Sequence, residues 1–119
     1  MNTKLIGSWG EAAAADYLAK CGFKILARGY RTRFGEIDLI ASNAKYVLFV
    51  EVKTRRNASF ARAMEYVDKN KQRRLAATAS QWLSENRTDL QPRFDVIEVY
   101  YGANMNAPAV NHIENAFGV

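Results

Sequence analysis

The chain has 119 residues, a length that suits one domain, with seventeen Lys and Arg against twelve Asp and Glu, a net charge of +5 and a pI near 9.5. Its one cysteine, Cys21, excludes an internal disulfide, and no apolar run approaches the ~18 residues that would span a bilayer. A chain this long buries roughly two-thirds of its unfolded surface, so it needs neither disulfides nor a structural metal to fold.

These properties point to a soluble, cytoplasmic protein with no membrane partner. Ala12 to Ala15 is followed at once by Asp16, so no signal-peptide core forms there. A pI above ~9 is one mark of a nucleic-acid binder.

In chain order, Thr3 is placed to cap a helix running to about Lys20. Ile6, Trp9, Ala13 and Tyr17 recur at helical spacing as its apolar stripe. Gly22 is a stop signal, and Cys21 beside it reads as a small core hydrophobe. Phe23 to Ala27 reads as a short strand, followed by the basic run Arg28 to Arg33 with Tyr30 inside it. Glu36 to Ala41 and Tyr46 to Thr54 read as two strands of a hairpin joined by a four-residue turn. Helix returns from Phe60 or Val67 to Glu85, with Leu75, Ala79, Trp82 and Leu83 as the buried stripe. Lys69, Lys71, Arg73 and Arg74 crowd its first part, the end at which a helix dipole prefers anions. Pro92 closes the next loop, Phe94 to Tyr101 reads as a strand, and the tail from Ala109 to Val119 adds a last short one. This order predicts an α/β fold with a mixed central sheet flanked by helices.

The chemistry concentrates on the hairpin. Side chains alternate across a strand, which puts Glu51 and Lys53 on one face of their strand. The same rule groups Glu36, Asp38 and Ile40 on the preceding strand, with Ile37 and Leu39 opposite. Acids in apolar strands are expensive without a partner. Two resolutions fit the spacing. A hard divalent cation, Mg²⁺ or Mn²⁺, would accept oxygen ligands from Asp38 and Glu51. A structural ion pair of Lys53 with Asp38 or Glu51 would satisfy the charges and do nothing more.

Asp38 followed by Glu51-Val52-Lys53 resembles the D…(D/E)xK signature of the PD-(D/E)XK nuclease superfamily. Further blocks extend the likeness along nearly the whole chain: Gly10-Glu11-Ala12-Ala13, Gly35 to Ile40, Phe49 to Lys53, Arg93-Phe94-Asp95-Val96 and His112 to Phe117. Together these resemble the YraN family of bacterial proteins, whose nuclease assignment rests on similarity to archaeal Holliday junction resolvases. The resemblance implies a restriction-endonuclease-like three-layer core. It also implies Asp38, Glu51 and Glu11 as metal ligands, Lys53 as the catalytic lysine, and a homodimer as the assembly. Glu11 read without the resemblance is an ordinary solvated helix glutamate. Family members usually carry Asn where this chain has Gly29, which weakens any inference about that segment.

Other residues fit quieter roles. Glu36 suits a supporting position or a pairing with Arg31 or Arg33. Arg93 and Asp95 suit a structural ion pair, and His112 suits a packed, hydrogen-bonded residue more than an acid or base. Arg31, Arg33, Arg55, Arg56 and Lys71 are the candidate phosphate contacts, with Tyr30, Phe34 and Phe60 available to stack on unpaired bases. Packing is the default role for Phe34. No base-reading motif is present, so recognition of backbone and shape is expected. The leading expectation is a metal-dependent endonuclease acting on structured or branched DNA. The alternatives are a nucleic-acid-binding module without turnover, and an interaction protein whose acids and lysine form a structural ion network.

Overall fold

The computed structural model describes residues 3–56, 67–102 and 108–118. Helix α1 (Thr3–Lys20) precedes three strands, β1 (Lys24–Thr32), β2 (Gly35–Ser42) and β3 (Tyr46–Arg55). Helix α2 (Lys69–Glu85), β4 (Gln91–Tyr100) and β5 (Ala109–Phe117) complete the order. The strands lie side by side in sequence order in one sheet. Neighbours are antiparallel except β3 and β4, which run parallel. A parallel pair needs a long crossover, and α2 lies within it.

The two helices cover opposite faces of the sheet. On β3, Leu48 and Val50 pack with Ala14 and Leu18 of α1, whereas Val47 and Phe49 pack with Leu75, Ala79 and Trp82 of α2. Burial on both sides explains why the centre of β3 is an unbroken apolar run. Phe49 anchors the α2 side, its ring 5.8 Å from Trp82 and 5.6 Å from Phe94. Burying a side chain of this size contributes about 2–3 kcal/mol. The expected three-layer α/β core with a mixed sheet is therefore the observed one.

Several boundaries move. β1 runs on to Thr32, so Arg28 to Thr32 is strand rather than loop and β1–β2 is a second hairpin. β4 starts at Gln91, with Pro92 in its first turn of pairing opposite Val47, a strand-end position where a missing N–H is tolerated. α2 starts at Lys69 because Asp68 caps it, its carboxylate accepting the Lys71 N–H at 2.8 Å. Phe60, one of the two expected helix starts, and the Thr3 side chain lie outside the described residues.

The buried line of α1 is Gly10, Ala14 and Leu18, one residue on from the Trp9, Ala13 and Tyr17 of the expected stripe, which are only half-buried. Gly10 is the reason. A Cβ there would overlap the Thr54 side chain, so glycine lets the helix axis approach β3 closely along this line. Cys21 is exposed, not part of the core. It follows the last turn of α1, where Gly22 at φ 93° and the Phe23 N–H bonded to the Leu18 carbonyl end the helix.

Candidate active site

β2 and β3 pair from Ser42↔Val47 to Leu39↔Val50, and the paired register stops there. Asp38 sits at that point. Its Oδ2 accepts the Val52 main-chain N–H at 2.7 Å, so a carboxylate takes the place of a ladder carbonyl. Strict alternation fails at the same point. Ile37 packs into the α2-side cluster and Leu39 into the α1-side cluster, although the sequence put them on one face. The irregularity turns Asp38 into the opening between the strands.

Glu51 and Lys53 follow the alternation of β3 and lie on the α2 side with Phe49. Glu51 is buried at 8% exposure. Its Oε1 takes two ammonium groups: Lys53 Nζ at 3.2 Å and Lys71 Nζ, from the first turn of α2, at 2.7 Å. The pairing of Lys71 eases the conflict of its position with the helix dipole, because a strand glutamate adds an anion to the Asp68 cap. Glu11 lies on α1, next to Gly10, and acts on this group through its charge.

The electrostatics of this group are unbalanced. Burial, and then the charge of Glu51, push the Asp38 carboxyl up to about 7, with Glu11 and Glu36 adding to the effect. Burial also raises Glu11, and the nearby Glu36 and Glu51 act in the same direction while Arg28 opposes them. Burial and the hydrogen bond with Lys71 lower Lys53. Lys71 is raised: burial disfavours its charge, but the Glu51 carboxylate outweighs it. Four carboxylates thus act on one another across the sheet. Excess negative charge at a partly buried point is the condition a hard cation relieves.

The donor set fits Mg²⁺ or Mn²⁺ in its chemistry: two buried or half-buried carboxylates, Asp38 and Glu51, in a site that repels a full load of negative charge. Mg²⁺ usually takes one or two carboxylates and fills the rest of its shell with water and phosphate oxygens. Among the described residues no three His, Cys, Asp or Glu side chains converge as a ready ligand cluster.

The remaining candidates divide. Arg31 is exposed and donates to Glu36 Oε2 at 2.8 Å, one of the alternatives the sequence left open for Glu36. Arg33 is exposed, its guanidinium 4.8 Å from the Phe34 ring centre at the β1–β2 turn. Phe34 is itself 38% exposed, so the default role of packing does not describe it. Arg56 is exposed, whereas Arg55 turns inward to Glu98 Oε2 at 3.4 Å. Tyr30 is tied to α2 by its hydroxyl, which donates to Glu85 at 2.7 Å. Phe60 lies outside the described residues. A cavity of about 450 Å³ lined by Gly35, Glu36, Lys71 and Arg74 runs beside the start of α2.

Asp95 and His112 form a separate network on the α1 side. Asp95 is 1% exposed and takes a two-point contact from Arg93 at 2.8 and 2.9 Å. Its Oδ2 lies 2.7 Å from His112 Nε2, and the Tyr17 hydroxyl lies 2.9 Å from His112 Nδ1. The Asp95 carboxylate also accepts the Asn115 N–H at 3.0 Å, inside a bulge of β5 where Asn115 has φ 50°. These are the structural roles expected for Arg93, Asp95 and His112.

The partnership of Lys71 with Glu51 escaped the sequence reading, which grouped Lys71 with phosphate contacts. The available signal was a lysine at the repelling end of a helix.

The chain belongs to the family described as "Uncharacterised protein family UPF0102", whose family model matches residues 10–99. It is 45% identical over 119 residues to the UPF0102 protein of Caldanaerobacter subterraneus subsp. tengcongensis, covering 98% of each chain. It is 45% identical over 115 residues to that of Syntrophotalea carbinolica, covering 96% of this chain and 92% of the relative. The UPF0102 protein of Clostridioides difficile is 42% identical over 118 residues, with 98% and 100% covered. This is the family the sequence blocks anticipated under the name YraN. No helix among the described residues is long and apolar enough to cross a membrane.

Proposed function

We propose that this protein is a divalent-metal-dependent endonuclease that hydrolyses phosphodiesters in structured or branched DNA in the cytoplasm. The observation that carries this reading is Asp38, a half-buried carboxylate pushed up to about 7 beside Glu51 and Glu11, with Lys53 on the same glutamate. Asp38 and Glu51 would hold Mg²⁺ or Mn²⁺, with Glu11 completing the set from α1. The cation, when bound, polarises a phosphoryl oxygen and acidifies water. Lys53 presents an ammonium where negative charge builds up on the attacked phosphate, which is worth most in a partly dry site.

The surroundings support a nucleic-acid substrate. Arg31, Arg33 and Arg56 are exposed cations, and the cavity lined by Lys71 and Arg74 offers room for a phosphodiester backbone. The exposed Phe34 at the β1–β2 turn offers a stacking surface for an unpaired base at a branch. A homodimer would present two such sites to the two strands of a junction.

The test is cleavage of matched linear duplex, single-stranded and four-way-junction DNA at low salt, with Mg²⁺, Mn²⁺ or EDTA. Wild type runs beside Asp38→Ala and Lys53→Ala. Metal-dependent cutting lost in both folded variants supports the nuclease. A second reading, a DNA-binding module without turnover, is favoured by the two lysines that already occupy Glu51 Oε1. Junction binding that persists in EDTA, with no cutting in either metal, selects it.

A further inference from the structure

We propose that Lys71 is a second lysine of the site: it neutralises Glu51 in the metal-free protein and is released to the substrate phosphate when a divalent cation takes that carboxylate. This rests on the metal-dependent reading above and assigns a substrate-binding role within it.

The geometry gives Lys71 the stronger claim on Glu51. Its Nζ lies 2.7 Å from Oε1, against 3.2 Å for Lys53, and both ammonium groups address the same oxygen. Lys53 reaches Glu51 along its own strand, two residues away. Lys71 comes from the other layer, and its backbone is fixed by the Asp68 cap at the start of α2. Its side chain is 37% exposed, so it has room to leave. A divalent ion on Glu51 would have to displace this contact or share the carboxylate with it.

Displacement has a physical drive. Lys71 stands at the positive end of α2, with Lys69, Arg73 and Arg74 in the same two turns. The Glu51 carboxylate is the main group that makes that location favourable, with the charge of Asp38 adding to it. Once a dication neutralises Glu51, the helix end, Lys53 and the metal all repel the Lys71 ammonium. The open side is the cavity lined by Glu36, Asn70, Lys71 and Arg74, where a phosphodiester would lie. Metal loading and phosphate capture are thereby coupled through one side chain.

The experiment is Mn²⁺ titration by calorimetry, without DNA, of wild type, Lys71→Met and Lys71→Arg, each first checked for folding by thermal unfolding. Removing the competing charge should tighten Mn²⁺ binding by about five- to tenfold in Lys71→Met, the scale of one charge-assisted contact, with Lys71→Arg close to wild type. Four-way-junction affinity at saturating Mn²⁺ should fall severalfold in Lys71→Met and recover in Lys71→Arg. Lys71→Gln, which keeps a donor but not the charge, replaces Lys71→Met if that variant does not fold. Mn²⁺ binding to wild type with unchanged or weaker affinity in the neutral variants overturns the role of Lys71 alone. Absence of Mn²⁺ binding at millimolar concentration in every protein overturns both this role and the metal-dependent reading.

Discussion

The carboxylate of Asp38 accepts the main-chain N–H of Val52 across the point where β2 and β3 stop pairing. Asp38 therefore has a structural duty, and its ionisation bears on it. Burial and neighbouring carboxylates raise its folded pKa from the ordinary 3.8 to about 7. In that window the folded state binds more protons than the unfolded state, so stability falls as pH rises. The contribution is full below about pH 4 and lost by about pH 7. Asp38→Asn keeps an acceptor for Val52 but cannot titrate. Urea denaturation from pH 4 to pH 8 should show the variant gaining on wild type by roughly 2–4 kcal/mol. Parallel curves would refute the linkage.

If Asp38 holds the proposed cation, the same charge imbalance should set the response to metal. With Asp38 ionised at pH 8, Mg²⁺ at tenfold its Kd should stabilise the protein by about 1.4 kcal/mol, or several degrees in Tm. At pH 5.5 the proton competes and the shift should shrink. Asp38→Ala should abolish it at both pH values. A Tm rise of equal size at both pH values would place metal binding away from Asp38.

Asp95 makes the opposite prediction. Burial disfavours its charge, but hydrogen bonds from His112, Arg93 and Asn115 outweigh that and hold its carboxyl below the usual range. Its stabilising contribution is present above the ordinary 3.8 and is lost as pH falls through the lowered folded value. Asp95→Asn leaves Arg93 and His112 without their anion and should destabilise by about 3 kcal/mol at pH 7, less at pH 3.5. Chemical denaturation at the two pH values measures this. A neutral effect at pH 7 would mean that the network holds nothing together.

Gly10 tests how closely α1 must approach the sheet. Alanine is the better helix former by about 1 kcal/mol, so an exposed site would gain stability. Here the new methyl meets the Thr54 side chain. Gly10→Ala should lose about 1–3 kcal/mol in urea denaturation, and Gly10→Ala with Thr54→Ser should not restore it, because serine keeps the hydroxyl oxygen that stands nearest the new methyl, and the Cβ behind it. A more stable Gly10→Ala protein would show that α1 can shift freely, and with it Glu11.

Local pattern determined a large part of this protein. The apolar run Val47 to Val50 announced a strand buried on both faces, and Leu75, Ala79 and Trp82 announced the covered side of α2, because strand and helix periods write burial into neighbouring positions. The acids and lysine of the hairpin stood out because charge in an apolar strand demands a partner. The continuation of β1 to Thr32 was hidden, since a strand rich in arginine and glycine has no apolar alternation to read. Tertiary structure alone decided which partner each charge received. The opening of the β2–β3 ladder at Asp38, the close approach of α1 to β3 at Gly10 and the reach of Lys71 to Glu51 join segments far apart in the chain. Such relationships follow from how layers pack and where a cap starts a helix; a lysine at the repelling end of α2 signals the need for a partner, but spacing along one element does not name it.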